Sequence, residues 1–282
     1  MKKVLLTGGS GFIGRNIKDI LKREFDLKVP TRKELNLNDE LLVKEYLINE
    51  KFDVVIHCAN PNPVKNSIDD QAKFLEDSLR CFMNLYKYKD YYDKLFYLGS
   101  GAEYNKAMDI ISATEQDEFR SIPLDAYGFA KYIMNTITFY DDKICNIRIF
   151  ACYGPTDHES KFITHCINCC LKNENITIRQ NCYFDYMHVY DLGKIFVRLI
   201  KDYPNTHSLN VCSGKRISLV EIAQTVKTIM KSNSEIIVLK DGMNKEYTGS
   251  NKKLLDLIGN YQYISLDEGI KIQIESQKDK VI

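Results

Sequence analysis

Val4-Leu5-Leu6-Thr7-Gly8-Gly9-Ser10-Gly11-Phe12-Ile13-Gly14 begins three residues into the chain and joins a short apolar run to a glycine turn. The residues after the turn have helical spacing, with Ile17, Ile20 and Leu21 on one face. Glycine admits positive φ and lets a ligand approach with no Cβ in the way. The helix directs its unpaired N–H groups and positive dipole end at that ligand, which favours an anion. Strand, glycine turn and helix in this order predict a dinucleotide cradle. The spacing Gly8, Gly11, Gly14 is one residue wider at its first gap than the common fingerprint. Its place after an opening strand therefore carries as much weight as the glycines.

The chain has 282 residues, 44% of them hydrophobic, enough for one large α/β domain with a full core. Lys+Arg 39 against Asp+Glu 38 leaves a net charge of +1, so nothing global draws it to nucleic acid or an anionic membrane. The opening apolar run breaks at Thr7-Gly8-Gly9, too short for a secretion signal, and no later run has the length of a bilayer span. The expectation is a soluble, cytoplasmic protein. Nine cysteines sit mostly in apolar runs and read as small buried hydrophobes of a reducing compartment. Cys166, Cys169 and Cys170 form the one cluster, near His158 and His165. Without a second ligand pair at matched spacing they read as one side of an amphipathic helix, and no metal is expected. Asn175-Ile176-Thr177 matches a glycosylation acceptor by chance in that compartment.

Further along, Lys28-Val29-Pro30 predicts a second strand ending at Thr31-Arg32-Lys33. A cradle selective for NAD places an acidic residue there, roughly twenty residues beyond the glycines. Arginine's fork suits a phosphate monoester, so Arg32 and Lys33 favour NADP(H) over NAD(H). In the alternative, both lie in a solvated turn and Glu34 takes the ribose. Leu41, Leu42, Tyr46 and Leu47 mark a helix, Phe52 to Ala59 a buried strand, and Asp70 to Tyr88 a long helix. Leu75, Leu79, Phe82, Met83 and Tyr86 would form that helix's apolar face, and His57 packs at its strand end. Lys94 to Gly99 is another strand, ending in Ser100. Strand and helix alternate, which predicts a doubly wound parallel sheet, with ligands beyond the carboxyl ends of its strands. After a polar excursion carrying Glu115, Asp117 and Glu118, Tyr127 and Lys131 stand four apart on one helix face. An ammonium beside a phenol favours the phenolate, which suits the tyrosine to general acid–base work. Alone, the pair carries little in a chain of 18 tyrosines.

Thr7 to Gly14, then Ser100, then Tyr127-x-x-x-Lys131 together resemble the extended short-chain dehydrogenase/reductase family, in its nucleotide-sugar epimerase, dehydratase and reductase branch. The similarity runs nearly end to end. Arg148-Ile149-Phe150-Ala151-Cys152-Tyr153-Gly154-Pro155 resembles the family's Arg-x-Phe-Asn-x-Tyr-Gly-Pro segment. Asp185 to Asp191, Ser208 to Gly214 and Leu266 to Gly269 resemble later landmarks. The resemblance implies a Rossmann sheet over 1–155, with segments near 185–212 returning to it. A smaller C-terminal lobe, 156–282, would hold the nucleotide sugar.

By the same resemblance, Gly8, Ser10, Gly11, Phe12, Ile13, Gly14, Cys58 and Ala59 border the cofactor, and Asn36 and Leu37 meet its adenine. Ser100 holds the substrate's C4 oxygen, Tyr127 passes its proton, and Lys131 lowers the tyrosine pKa and bonds the nicotinamide ribose. Gly101 and Ala102 border the substrate, while Lys161 and Arg179 are candidates for its diphosphate. A homodimer through the two long helices is a further family expectation.

Departures narrow the reaction. Gly101 and Ala102 stand where 4,6-dehydratases carry an Asp-Glu pair, and Glu103 comes one place late, which argues against dehydration. The stretch Val29 to Leu37 and the Leu98-Gly99-Ser100 strand end look most like GDP-fucose synthase-type 4-ketoreductases. Ala102 and Lys161 replace the cysteine and histidine with which those enzymes epimerise. Ala151 and Phe184 replace an asparagine and an arginine that commonly face the nucleotide sugar. The expected activity is NADPH-dependent reduction of a C4 ketone on a nucleotide-linked sugar. The alternatives are a nucleotide-sugar 4-epimerase with tightly bound NAD, and a non-catalytic NAD(P)-sensing protein on the same fold.

Overall fold

The opening apolar run folds as β1 (Lys3–Thr7) and passes through the glycine turn into α1 (Phe12–Lys22). The computed structural model describes residues 1–61 and 69–278. Next come β2 (Asp26–Lys28), α2 (Glu40–Glu50), β3 (Val54–His57), α3 (Gln71–Tyr86) and β4 (Lys94–Ser100). A 3-10 turn at Gly101–Tyr104 leads to β5 (Ile110–Ala113), α4 (Ala126–Thr138), β6 (Ile144–Ile149) and β7 (Ala151–Tyr153). The chain continues as α5 (Phe162–Lys172), β8 (Ile176–Asn181), β9 (Tyr183–Phe184), β10 (Tyr186–His188) and α6 (Val189–Asp202). Last are β11 (Ser208–Val211), β12 (Ile217–Ser218), α7 (Leu219–Met230), β13 (Ile236–Met243), β14 (Tyr247–Gly249), α8 (Lys252–Ile258) and α9 (Leu266–Lys278). No helix among the described residues is long and apolar enough to cross a membrane.

Six strands form the central sheet in the order β11-β6-β4-β3-β1-β2, with every pair parallel. This is the expected doubly wound sheet. Its strand order reverses between β1 and β3, and in such sheets that reversal opens a crevice at the carboxyl ends. Alternation along each strand feeds two cores. Val4, Leu6 and Ile56 pack with Ile17, Leu21, Phe196 and Leu199 on one face. Leu5, Val55 and Tyr97 pack with Val43, Leu47, Phe82 and Met134 on the other. A third core joins Cys166, Ile167, Cys169 and Cys170 of α5 to Ile222 and Val226 of α7 and Ile270 of α9. The cysteine cluster thus packs as apolar side chains.

Three local expectations need correction. The second strand ends at Lys28 rather than Pro30, because its ladder with Lys3 to Leu5 ends there and proline has no N–H to extend it. On α3, Phe82 is buried and Leu79 and Tyr86 pack against the core as expected, but Phe74, Ser78, Asn84 and Leu85 are buried too and Met83 is 37% exposed. A polar contact that periodicity cannot foresee draws Asn84 into this face: its Nδ2 donates to Leu37 O at 2.8 Å. In α2 the core takes Val43 and Leu47 and leaves Leu41 outside.

Behind the end of β4 lies a buried ionic cluster. Arg148, fully buried, donates from Nε to Glu103 and from an Nη to Glu118, each at 2.9 Å. Glu103 also accepts the Ser100 N–H at 2.8 Å. Burial alone would raise the Glu118 carboxyl, but His207, Arg148 and Asn135 override it and hold the group down at about 2.

Breaking a buried pair strands its partner charges, so Arg148→Met should cost about 3–5 kcal/mol of unfolding free energy in urea titrations. Glu118 sits below its usual carboxylate value, so its stabilisation is complete above about 4.5 and is lost as pH falls toward about 2. Denaturation midpoints measured across that window should fall steeply in the wild type and less steeply in Glu118→Gln.

Candidate active site

A cleft of about 640 Å³ opens across the carboxyl ends of β1, β3 and β4. Its floor is the glycine turn. Gly8 has φ +74, and a Cβ there would stand 2.5 Å from the Ala59 backbone nitrogen. A Cβ on Gly14 would collide with the Gly8 carbonyl. The Gly11 N–H closes the turn on Gly8 O at 3.0 Å. Among the described residues, α1 has no side-chain cap and no acid in its first turn. Its N–H groups and dipole end are therefore left to a ligand, and the donor set fits the diphosphate of a dinucleotide.

Gly8, Ser10, Gly11, Phe12, Ile13, Gly14, Cys58 and Ala59 all border this cleft, as do Arg32, Asn36 and Leu37 toward its outer end. Lys33 does not; it follows Arg32 in an exposed turn. Glu34, the alternative ribose ligand, is occupied: its carboxylate accepts the Thr31 N–H at 2.7 Å and the Thr31 hydroxyl at 2.9 Å. Asn38, Asp77 and Cys81 line the same end, and the Cys81 thiol donates to Asn38 Oδ1 at 3.1 Å. Sequence reasoning missed these three because they become neighbours only when α3 packs beside the loop after β2.

Ser100, Tyr127 and Lys131 line the inner end of the cleft. Asp125 caps α4 by accepting the Gly128 N–H at 2.9 Å, and one turn then sets Tyr127 and Lys131 on the buried side. The Tyr127 ring packs against Phe74, with centroids 6.2 Å apart. Ser100 Oγ accepts the Ala102 N–H at 3.2 Å. Nearby, His57 is buried and shares a hydrogen bond with Thr7 Oγ1 at 2.9 Å. Burial, then the Lys131 charge, drives its imidazole down to about 3. It is a neutral packing residue, as expected from the strand end.

A second cavity, about 420 Å³, adjoins the first and shares Phe150, Cys152, Asp157 and Lys161 with it. Ala151 and Phe184, the two departures from the family segments, both stand on its wall, with Lys106, Lys245 and Tyr247. Arg179 lines neither space. Alternation along β8 sends Ile176 and Ile178 inward and Arg179 to solvent. Gly101 and Ala102 also line neither, because the chain dives into its 3-10 turn directly after Ser100 and buries them. Ala102 packs with Phe74 and Tyr127. Glu103, the late acid, is committed to Arg148 and the Ser100 backbone.

Two groups at the site had no signal of their own. Asp157 sits on the wall common to both cavities, and burial lifts its carboxyl to about 7 against the pull of Lys161 and the His158 N–H. Tyr247 reaches Ser100 from 147 residues away, with 3.4 Å between the two hydroxyl oxygens.

Residues 4–212 match the NAD dependent epimerase/dehydratase family. An ADP-L-glycero-D-manno-heptose-6-epimerase from Brachyspira hyodysenteriae is 27% identical, over 95% of either chain. A GDP-L-fucose synthase from Azorhizobium caulinodans is 25% identical over 91% of this chain and 88% of its own. Among solved structures, a GDP-mannoheptose C4 reductase from Campylobacter jejuni with NADP bound superposes with a TM-score of 0.85 at 20% identity, covering 98% of both chains. The glycine-turn cleft, the parallel sheet that carries it and this match over most of the length agree, and the chain belongs to the NAD dependent epimerase/dehydratase family.

Proposed function

We propose that this protein reduces the C4 ketone of a nucleotide-linked 4-keto sugar, with NADPH as its cofactor. The reading rests on one observation above all: Ser100, Tyr127 and Lys131 border the same cleft as the glycine turn. NADPH, when bound, supplies the hydride that the C4 carbon accepts. Tyr127 gives its hydroxyl proton to the C4 oxygen, so the ketone becomes a secondary alcohol. The Lys131 ammonium offsets the negative charge left on the phenolate. The Ser100 hydroxyl holds the same oxygen as charge develops on it.

The sugar lies where the two cavities meet, and residues after Pro155 form most of the nucleotide side. Lys161, which borders both cavities, takes the diphosphate, and the exposed Arg179 is not assigned to it. Arg32 is the ligand for a 2′-phosphate, since it borders the cleft while Glu34 is spent on Thr31. The GDP-L-fucose synthase among the relatives makes GDP-linked 4-keto sugars the first substrates to assay. The same reading expects a homodimer through α3 and α4, which leave Met83 and Ile137 exposed.

Panels of 4-keto nucleotide sugars, followed by NADPH oxidation, test the reading. A reductase consumes NADPH stoichiometrically, whereas a 4-epimerase purifies with its cofactor and consumes none. Tyr127→Phe should lower turnover by about 10²–10⁴-fold and leave NADPH affinity, read by calorimetry, unchanged. Arg32→Gln should weaken NADPH binding by about 10–100-fold, the worth of hydrogen bonds to a charged group, without weakening NADH. Equal losses for both cofactors would remove Arg32 from the 2′-phosphate.

A further inference from the structure

The resemblance assigns no role to the Tyr247 hydroxyl, 3.4 Å from Ser100 Oγ. Tyr247 reaches the site because β14 runs between β5 and β9, where this residue pairs with Ile110 and with Phe184. Its ring packs against Phe150 and Phe184, with centroids 5.2 and 5.7 Å away. Gly101 makes the approach feasible. A Cβ there would stand 2.8 Å from the Tyr247 oxygen and 2.8 Å from the Phe150 ring. The glycine found where a dehydratase has an acid is thus what admits this phenol to Ser100.

A serine hydroxyl has one proton and two lone pairs. One lone pair of Ser100 Oγ accepts the Ala102 N–H. Burial raises the pKa of the Tyr247 phenol far above the ordinary tyrosine range, so it keeps a proton to donate. We propose that Tyr247 donates to the second lone pair of Ser100 Oγ and so leaves the serine's own proton for the C4 oxygen of the substrate. The proposal rests on the reductase reading above and deepens it. A serine held at both lone pairs is purely a donor toward the cavity, which matches a ketone oxygen, an acceptor with no proton to offer. Tyr247 is therefore a positioning residue that acts through Ser100.

The test combines NADPH oxidation by the full chain with a crystal structure of its NADPH complex. The substrates are 4-keto-6-deoxy nucleotide sugars made by 4,6-dehydratases from GDP-mannose and dTDP-glucose. Tyr247→Phe should lower kcat about tenfold, the worth of one hydrogen bond, with KM unchanged and the melting temperature lowered by no more than a few degrees. Ser100→Ala should lower kcat on the order of a hundredfold, and adding Tyr247→Phe should lower it no further. The crystal structure should keep the two oxygens within hydrogen-bond range. Full activity in Tyr247→Phe, additive losses in the double variant, or oxygens beyond about 4 Å overturn the proposal and leave the reductase reading standing. Full activity in Ser100→Ala, or no turnover of any of these sugars, removes the reductase reading and the proposal with it.

Discussion

One buried carboxylate, Glu103, holds the end of the central strand in place. Its oxygens accept the Ser100 N–H and the Arg148 Nε, and Arg148 is held in turn by Glu118 and by Asn210 Oδ1 at 3.2 Å. A fully buried guanidinium is costly to desolvate and persists only with its hydrogen bonds satisfied. Here they are, and the cluster gives β4 a defined terminus. Ser100 can then sit at the crevice with its backbone tied down, and the chain can turn at once into the 3-10 segment that buries Gly101 and Ala102. Ser100 is placed at the cleft by ions that do not themselves line it.

The cleft is assembled from segments far apart in the chain, and its two ends are built differently. The floor is mostly local: a glycine turn, an uncapped helix and, from just past the neighbouring strand β3, Ala59 pressed against Gly8. The end that carries Ser100, Tyr127 and Lys131 is non-local, combining the tip of β4, one face of α4 and the segment after β7. Asp157 and Lys161 stand on the wall shared by both cavities. A carboxyl lifted by burial beside an ammonium gives that wall a charge state that changes near neutrality.

Two departures from the family pattern, Ala151 and Phe184, line the second cavity. They stand on its wall among aromatic rings, three lysines and the carboxyl groups of Asp157 and Glu246. Gly101 opens space that Tyr247 and Phe150 fill.

Much was legible in the residues themselves. The order of β1 to β4, the parallel sheet, the cradle, His57 as a packing residue and the one-face pairing of Tyr127 with Lys131 all come from short-range pattern. Period-2 burial, period-3.6 burial and turn chemistry are written within a few neighbouring positions. The rotation of α3, the burial of Gly101 and Ala102, and the meeting of Tyr247 with Ser100 were decided by tertiary structure alone. Each depends on which distant backbone or ring fills the adjacent space, and a linear pattern carries no record of that distance.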